Sequence, residues 1–395
     1  MTQPPLMADQ TLFRDHSVFD ITYLPETFNY RDTQLTDLAF ALRPTLQGAR
    51  PINTVLRGPP GTGKTTAVRR IFAEVEEATR VAVPVLVSCQ VHRTPYAVFG
   101  QVYLALFGQA PPASGIPLRR LMGRIARELT RRGAVLVVCL DDAGYLLPDN
   151  VLNDLLAGIL RMPEGYPGTR TGVVLVVSGV DVDLVRCLDP ATRSVLQASE
   201  VYFPLYTPGE IRAILSDRIR AGLYPGVVPP AALDLMVERT HACGDLRVGL
   251  EMVRLAAVAA EKEARRGVTT ADVLAAYAAS RDLRAAQAVA SLDAGERAVL
   301  EAIVAAGLED EEEPVISGQV YGLVGGRMRM SYTAFHERLR RLELLRLVDL
   351  AVTRRRGLTR VILVREGVEE VLQVPAGSSG VPVNGPAGVC DDEKC

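Results

Sequence analysis

Residues Gly58 to Thr65 read GPPGTGKT, and this octet matches the phosphate-binding loop pattern G-x-x-x-x-G-K-[ST]. The apolar stretch Ile52–Leu56 before it predicts a strand, and Thr65–Val75 after it predicts a helix. A strand, a glycine-rich loop and a helix in this order surround one anion with backbone N–H groups and the positive end of the helix. The alternative is a glycine-rich turn before a surface helix, and the context on both sides favours the phosphate loop. The sequence therefore predicts that the chain binds a nucleoside triphosphate.

The residues of this loop have separate predicted tasks. Gly58, Gly61 and Gly63 allow the backbone to wrap closely around a phosphate. Lys64 is expected to reach the β- and γ-phosphates, and the Thr65 hydroxyl is expected to hold Mg²⁺. Lys64 is one of three lysines in a chain with 41 arginines. A sequence that uses arginine almost everywhere has lysine here, where a compact ammonium suits the site better than a planar guanidinium.

Composition narrows the class of protein. A length of 395 residues predicts two or three domains, and 48% hydrophobic with 23% charged residues is ordinary for globular domains. The six cysteines are scattered, which favours thiols in a reducing compartment over a disulfide framework. Neither a basic-then-apolar leader nor an apolar run of about 18 residues is present in the sequence. We therefore expect a cytoplasmic protein without a membrane partner.

Further apolar runs alternate with helical patterns along the first half of the chain. The predicted strands are Val83–Cys89, Ala134–Leu140, Gly172–Ser178 and the shorter Glu200–Phe203. This alternation predicts a parallel α/β sheet, whose ligand belongs at the carboxyl ends of the strands.

Two acids, Asp141 and Asp142, follow the strand Ala134–Leu140. An apolar strand that ends in carboxylates beside a phosphate loop is the Walker B arrangement. Asp141 is expected in the outer sphere of Mg²⁺, and Asp142 is expected to orient or deprotonate the attacking water. ATPases of this kind usually have glutamate at the second position, and aspartate loses roughly 1 Å of reach, which can cost on the order of 10²-fold in rate. The alternative is that both acids merely end a strand.

Four helical segments follow between Pro208 and Ser280 and predict a small helical domain after the sheet. Arg247 lies in the first turn of the third segment, early enough to face a nucleotide, although an arginine at a helix start is more often solvated. Residues typical of helix starts precede the four segments: Thr207, Pro229, Asp245 and Thr269.

Several segments carry a family resemblance in combination. They are YLPETFNYRD (23–32), GPPGTGKTT (58–66), TPYAVFGQVYLALFG (94–108), LDD (140–142), LDPATRSVL (188–196), VYFPLYTPGEIRAILSDR (201–218) and GDLRVGLEMVRLA (244–256). Together they resemble the AAA+ ATPases, and among these the archaeal origin-recognition initiators of the Orc/Cdc type. Those initiators are similar to the largest subunit of the eukaryotic origin recognition complex. The resemblance covers about residues 20 to 372.

The resemblance implies roles for individual residues. Tyr23, Pro25 and Arg31 would help form the adenine pocket, and Arg247 would be the sensor-2 arginine. Arg193 would be the candidate arginine finger, and the helices between 94 and 132 would form the insertion that such proteins press against the DNA backbone. The remaining residues that the resemblance assigns to the nucleotide are Pro60, Thr62, Thr66, Tyr206 and Arg218.

Two departures from the family pattern concern hydrolysis. The family's Walker B motif usually reads Asp-Glu, whereas this chain has Asp141-Asp142. The family's sensor-1 strand usually ends near an Asn, but no Asn lies between Thr171 and Asp189, and Ser178 stands near that place. Both groups handle the hydrolytic water or the γ-phosphate, so we expect intact binding with slow or absent hydrolysis.

The C-terminal segment predicts a winged helix that binds DNA. Ser291–Ala306, Ile316–Leu323 and Ser331–Leu345 read as helices, followed by two strands around the turn TRRRGLTR. Residues 327–365 hold eleven arginines and three acids, a net charge of +8 that we expect on one face. The alternative for any single arginine is a solvated surface. The expected DNA contacts are Arg354, Arg355, Arg356, Gly357 and Arg360 in the hairpin, and Thr333, His336 and Arg340 on one face of the preceding helix.

These observations predict an N-terminal arm (1–20), an AAA+ nucleotide-binding α/β domain (21–206), a helical lid (207–285), a winged-helix domain (286–373) and a disordered tail (374–395). The resemblance implies an initiator that uses ATP or ADP with Mg²⁺, binds double-stranded origin DNA and helps recruit the replicative helicase of the minichromosome-maintenance type. Other initiator copies on DNA and association with the nucleoid follow from the same resemblance. The alternative is a sequence-specific DNA-binding regulator with a structural nucleotide, and a clamp-loader-like or transposition ATPase is a weaker third.

Overall fold

The computed structural model describes most of the chain, in the following ranges: 11–20, 22–26, 28–112, 115–147, 150–178, 184–185, 187–309, 314–354 and 358–373. The chain divides into two compact units, residues up to 277 and residues from 278 onward. The division falls inside one long helix, Thr270–Ala290. The predicted tail 374–395 lies outside the described residues. No helix in the described ranges is both long and apolar enough to cross a membrane.

The first unit is built on a five-stranded parallel sheet with strand order β2-β3-β4-β1-β5. Its strands are β1 (Thr54–Gly58), β2 (Ala82–Ser88), β3 (Val135–Asp141), β4 (Arg170–Ser178) and β5 (Ser199–Tyr202). The predicted parallel sheet is therefore confirmed, with each strand within two residues of its expected start. Since β4 lies between β1 and β3, the end of β4 lies between the glycine-rich loop and the acids at the end of β3.

Helices cover both faces of this sheet. They are α1 (Asp32–Leu42), α2 (Lys64–Ala78), α3 (Pro95–Phe107), α4 (Leu118–Arg132), α5 (Val151–Leu160), the single turn α6 (Met162–Gly165) and α7 (Pro190–Leu196). Leu136, Val138 and Leu140 of β3 pack with α3, α4 and α5, whereas Val137 and Cys139 pack with α1 and α2. Because successive side chains of a strand point to opposite faces, the continuous apolar run of β3 serves both cores.

The helices that follow the sheet form a cluster of their own. They are α8 (Pro208–Gly222), α9 (Pro230–Cys243), α10 (Leu246–Lys262) and α11 (Thr270–Ala290). Thr207 and Glu210 form a capping box at the start of α8, and the Asp245 carboxylate caps α10. In α1, which begins at Asp32, Arg31 occupies the cap position without a side-chain bond.

Residues 11–20 pack against these helices. The side chains of Phe13 and Phe19 are 3% exposed and belong to the same core as α8 to α10. Phe13 forms a backbone bridge with Leu223, and the Leu12 amide donates to the Glu261 carboxylate. Residues 11–20 of the predicted N-terminal arm (1–20) are therefore held against the helical cluster, because two aromatic side chains are buried there. Residues 1–10 lie outside the described residues.

The second unit contains the C-terminal part of α11, three further helices, an antiparallel hairpin and a last short helix. They are α12 (Ala294–Glu309), α13 (Ser317–Arg327), α14 (Tyr332–Leu344), β6 (Val348–Arg354), β7 (Leu358–Val364) and α15 (Val368–Gln373). Ile303, Val320, Phe335 and Ile362 join these elements in one core. Three helices followed by a hairpin is the order that a winged helix requires, and the winged helix itself stays a prediction.

Candidate functional site

The glycine-rich loop connects β1 to α2, as its sequence context predicts. Gly61 (φ 74°) and Gly63 (φ 93°) have left-handed backbone conformations that favour glycine, and Gly63 lies directly before the first turn of α2. Lys64 is 4% exposed, and its ammonium donates to the carbonyls of Gly58 and Pro59, at 2.7 Å each. The loop thus has the backbone shape and the buried cation that a phosphate-binding loop needs.

Thr65 and Asp141 meet at the carboxyl end of the sheet. The Thr65 hydroxyl donates to the Asp141 carboxylate at 2.8 Å, and the loop at the start of α2 is thereby joined to the end of β3. Burial raises the pKa of Asp141 to about 6, with the nearby Asp142 carboxylate as the next cause. A hydroxyl and a carboxylate are oxygen ligands of the kind that Mg²⁺ prefers, so the residues present fit this ion.

Asp142 is held at both carboxylate oxygens. Ser178, at the end of β4, donates its hydroxyl to one oxygen at 2.8 Å, and the Gln90 side-chain amide donates to the other at 2.7 Å. Asp142 has a left-handed backbone (φ 56°), which is uncommon outside glycine and turns its carboxylate toward these donors. Ser178, which stands near the sensor-1 place implied by the family resemblance, thus contacts Asp142, and its sensor role stays a prediction. Sequence reasoning missed Gln90, since a polar residue after β2 carries no pattern of its own.

Arg31 is buried and donates a hydrogen bond to the backbone of the phosphate loop. It is 2% exposed, its Nε donates to the Thr62 carbonyl at 3.0 Å, and one Nη donates to the Pro204 carbonyl at 2.7 Å. The same guanidinium lies 3.7 Å above the Tyr206 ring. Tyr206 in turn lies against Gly63, where an added Cβ would stand 2.9 Å from its hydroxyl. Arg31 and Tyr206 therefore join the loop to the segment after β5, and their predicted contact with a nucleotide stays a prediction.

The other predicted nucleotide contacts have partners of their own in the structure. The Arg218 guanidinium stacks over the Tyr23 ring at 4.5 Å and donates to the Val18 carbonyl. The Pro25 carbonyl accepts a long bond, 3.4 Å, from Arg70 of α2. The remaining ones lie within the loop and the first turn of α2: Pro60, Thr62 and Thr66.

Arg247 and Asp245 form an ion pair at the start of α10. The Asp245 carboxylate accepts from Nε and one Nη of Arg247, at 3.0 and 2.8 Å, and also caps the Arg247 amide. Burial alone would lower the pKa of Arg247, but Asp245 and, from farther away, Asp142 and Asp141 raise it. Arg247 is therefore close enough to Asp141 and Asp142 for their negative charges to stabilise its guanidinium. Arg193, the candidate arginine finger, is instead exposed on α7 and donates to the Leu188 carbonyl.

In the second unit, α14 presents part of its predicted DNA face. Thr333 and Arg340 are exposed, whereas His336 is half-buried with Nδ1 3.3 Å from a guanidinium nitrogen of Arg360. Because arginine can only donate, the His336 Nδ1 must accept this bond. Arg354 ends β6, and the predicted contacts Arg355, Arg356 and Gly357 lie outside the described residues.

The eleven arginines between 327 and 365 do not all add free charge to one face. Arg365 forms a two-bond ion pair with Asp349, at 2.8 and 2.6 Å. Arg341 pairs with Glu296 at 3.8 Å, and Arg338 approaches Asp293 at 4.0 Å. The charge of +8 expected on one face is therefore reduced, because Glu296 of α12 and Asp293, just before α12, lie outside the counted window. Asp349 is already included in that count.

Comparison with known proteins places this architecture in a family. Residues 27–198 match the AAA ATPase domain, and residues 212–278 match the Cdc6 AAA+ ATPase-type lid domain. The chain is 39% identical over 366 residues to ORC1-type DNA replication protein 6 of Halobacterium salinarum, covering 92% of this chain and 96% of that protein. It is 40% identical to ORC1-type DNA replication protein 2 of Methanosarcina mazei, covering 93% and 97%. The chain belongs to the ORC1-type DNA replication proteins.

Solved structures of this type share the fold. The Aeropyrum pernix ORC1 protein, solved in complex with DNA, matches with a TM-score of 0.69 and 27% identity, covering 92% of this chain and 97% of that one. The Aeropyrum pernix ORC2 protein, solved in ADPNP–ADP complexes, matches with a TM-score of 0.66 at 23% identity, which shows the fold alone. The AAA+ sheet and helical lid predicted for this ORC1-type chain are therefore confirmed, and its AAA ATPase domain is a nucleotide-binding fold.

Proposed function

We propose that this ORC1-type protein is a DNA replication initiator that binds double-stranded origin DNA and helps recruit the replicative helicase, of the minichromosome-maintenance type. The observation that carries the proposal is the 39–40% identity to ORC1-type DNA replication proteins over more than nine-tenths of both chains. The DNA complex of the Aeropyrum pernix ORC1 protein supports the DNA-binding part. Cooperation with other copies on DNA, in the nucleoid, belongs to the same proposal.

ATP or ADP with Mg²⁺ is the proposed ligand of the site at the carboxyl end of the sheet. Lys64 would bind the β- and γ-phosphates, and Thr65 and Asp141 would hold the ion from the positions where they already bond to each other. The bound nucleotide would supply the γ-phosphate, whose presence or loss separates two states of the protein. The left-handed glycines of the loop and the buried Lys64 support this assignment.

Hydrolysis at this site is proposed to be slow. Asp142 would have to orient the attacking water, but its carboxylate is one methylene shorter than glutamate and accepts bonds from both Ser178 and Gln90. A carboxylate with both oxygens engaged is less available as a base for water. This arrangement also favours the second candidate function, a DNA-binding regulator in which the nucleotide is a structural cofactor.

DNA contacts are proposed for each of the two units by itself. In the second unit, a winged helix over 286–373 would place Thr333, His336 and Arg340 of α14 toward bases, with the hairpin arginines on the backbone. In the first unit, the exposed arginines of α4 support the predicted backbone contact of the 94–132 insertion: Arg119, Arg120 and Arg127. The AAA+ domain (21–206) and the lid (207–285) complete the proposed domain organisation.

A binding experiment tests this proposal. Purified protein would be titrated with a duplex from the region where replication starts in its source genome, and with a scrambled duplex of equal length and composition, each with and without Mg·ATP. We expect tighter binding to the first duplex, and capture of the minichromosome-maintenance helicase on it in a protein-dependent way. Equal affinity for both duplexes, or specific binding without any helicase capture, would count against the initiator.

A further inference from the structure

The carboxylate of Asp245 contacts both the phosphate loop and Arg247. Its side chain is 1% exposed. A Cβ added to Gly61 would stand 2.1 Å from the Asp245 Oδ1, so the carboxylate lies directly against the Gly61 backbone. The same oxygen accepts from the amide and Nε of Arg247, and Oδ2 accepts from Nη2. One buried acid therefore joins the loop, the start of α10 and one edge of the guanidinium.

The other edge of this guanidinium remains available. Within the described ranges, Nη1 of Arg247 makes no hydrogen bond, and the Arg247 side chain is 43% exposed, although its partner Asp245 is buried. Arginine has five N–H donors in a planar fork, and Asp245 uses the donors along its Nε–Nη2 edge. The guanidinium is thus fixed in orientation by its Nε–Nη2 edge, which leaves Nη1 for a ligand.

We propose that Asp245 is a positioning residue that holds Arg247 ready to bind the terminal phosphate of a nucleoside triphosphate, and so gives the site its preference for triphosphate over diphosphate. This inference rests on the proposed nucleotide function of the site. A long arginine side chain loses rotamer freedom when it binds a ligand, and the ion pair with Asp245 removes much of that cost before binding. A diphosphate lacks the γ-phosphate that Nη1 would contact, so the Asp245–Arg247 ion pair adds little to its affinity.

Asp245→Asn tests the proposal with little change in shape. Asparagine caps helices as well as aspartate and fits the same space against Gly61, but it loses the charge and the second acceptor for Arg247. We expect affinity for a slowly hydrolysed Mg·ATP analogue to fall roughly tenfold, as loss of a charge-assisted bond implies, and affinity for Mg·ADP to change less than about twofold.

Asp272→Asn is the matched control. Asp272 also binds an arginine through two bonds, from Arg265 at 2.7 Å each, and its carboxylate also accepts from the amide and hydroxyl of Thr269, just before its helix. The Asp272–Arg265 pair belongs to the same helical cluster and, among the described residues, forms no hydrogen bond or ion pair with the loop. We expect Asp272→Asn to leave the ratio of triphosphate to diphosphate affinity unchanged, even if its melting temperature falls as much as that of Asp245→Asn.

A double-mutant cycle with Arg247→Ala completes the test. If Asp245 acts through Arg247, Asp245→Asn has no further effect on the triphosphate preference once Arg247 is alanine. An unchanged or increased preference in Asp245→Asn, an equal loss for both nucleotides, or an effect that persists beside Arg247→Ala would each overturn the inference. Wild-type protein that binds neither nucleotide would overturn the proposed function as well, so the two failures are distinguishable.

Discussion

The nucleotide site and the arginine-rich second unit use charge in opposite ways. At the nucleotide site, each charged side chain is held by a neighbour of fixed geometry: Lys64 by loop carbonyls, Asp141 by Thr65, and Asp142 by Ser178 and Gln90. In the second unit, the charged side chains are more numerous, and some of the arginines are paired with acids such as Glu296 and Asp349.

This difference shows what a sequence pattern can and cannot define. A motif with fixed spacing on a strand, loop and helix places its residues through the backbone, so the site follows from the motif. A count of arginines defines only the total positive charge. It does not define which arginines are unpaired, because the acids that neutralise some of them come from other elements. Mutations should therefore have large, residue-specific effects at the first region and graded, partly interchangeable effects at the second.

Lys64→Ala should have the largest effect. Removing the buried ammonium takes away the direct charge contact with the phosphates, and we expect affinity for Mg·ATP to fall by more than about 100-fold. The measurement is nucleotide content after purification, together with titration of a fluorescent ATP analogue. Lys262→Ala, which removes an exposed lysine at the end of α10, is the matched control and should bind as wild type. Equal nucleotide content in both variants would show that the loop has been assigned wrongly.

Asp142→Glu should change hydrolysis next most strongly. Wild-type turnover should be low, and the longer carboxylate should raise it by roughly 10-fold or more if reach limits the reaction. The readout is phosphate release under saturating Mg·ATP, with Asp154→Glu, an exposed acid of α5, as the control for an added methylene. A variant no faster than wild type would move the cause to Ser178, and brisk wild-type turnover would contradict slow hydrolysis altogether.

Two double variants test whether all arginines of the second unit contribute equally to DNA binding. Arg355→Ala with Arg356→Ala should weaken binding to specific and scrambled duplexes together, and should flatten the slope of log affinity against log salt by roughly 2 units. Arg341→Ala with Arg365→Ala removes the same charge from ion-paired positions and should leave the slope nearly unchanged. Equal flattening by both pairs would mean that only total charge matters, and no flattening by the first would leave the hairpin a solvated turn.

Thr333→Ala should produce the smallest effect and the most selective one. Thr333 is exposed on α14, where it would contact base edges, so its loss should lower the ratio of specific to non-specific affinity by roughly fivefold. The salt slope should stay as in wild type, because no phosphate contact is removed. Titrations at several salt concentrations separate the two quantities. A changed slope with an unchanged ratio would place Thr333 on the backbone instead of on bases.

Much of the fold could be predicted, because the strands are continuous apolar runs and the helix starts carry capping residues. The helices between 151 and 165 went unpredicted, as did the continuation of α11 to Ala290, since their apolar residues show no clear boundary signal. The docking of residues 11–20 depends on Phe13 and Phe19 meeting helices some 200 residues away along the chain. No local pattern reports such a contact.

Some residues of the candidate site could be predicted from the sequence, and others could not. Lys64, Thr65 and Asp141 follow from motifs, and the structure brings Thr65 and Asp141 together. The contact of Gln90 with Asp142 and the contact of Asp245 with Gly61 could not be predicted, because each depends on how distant elements pack. The ion pairs of Arg338 and Arg341 depend in the same way on acids at or just before the start of α12.

The most direct test of the initiator proposal is a map of where this protein binds across its genome in growing cells, compared with local DNA copy number. An initiator predicts one or a few discrete peaks that coincide with copy-number maxima, where replication starts. Many peaks near gene starts, with no copy-number maximum among them, would contradict the initiator and favour the DNA-binding regulator.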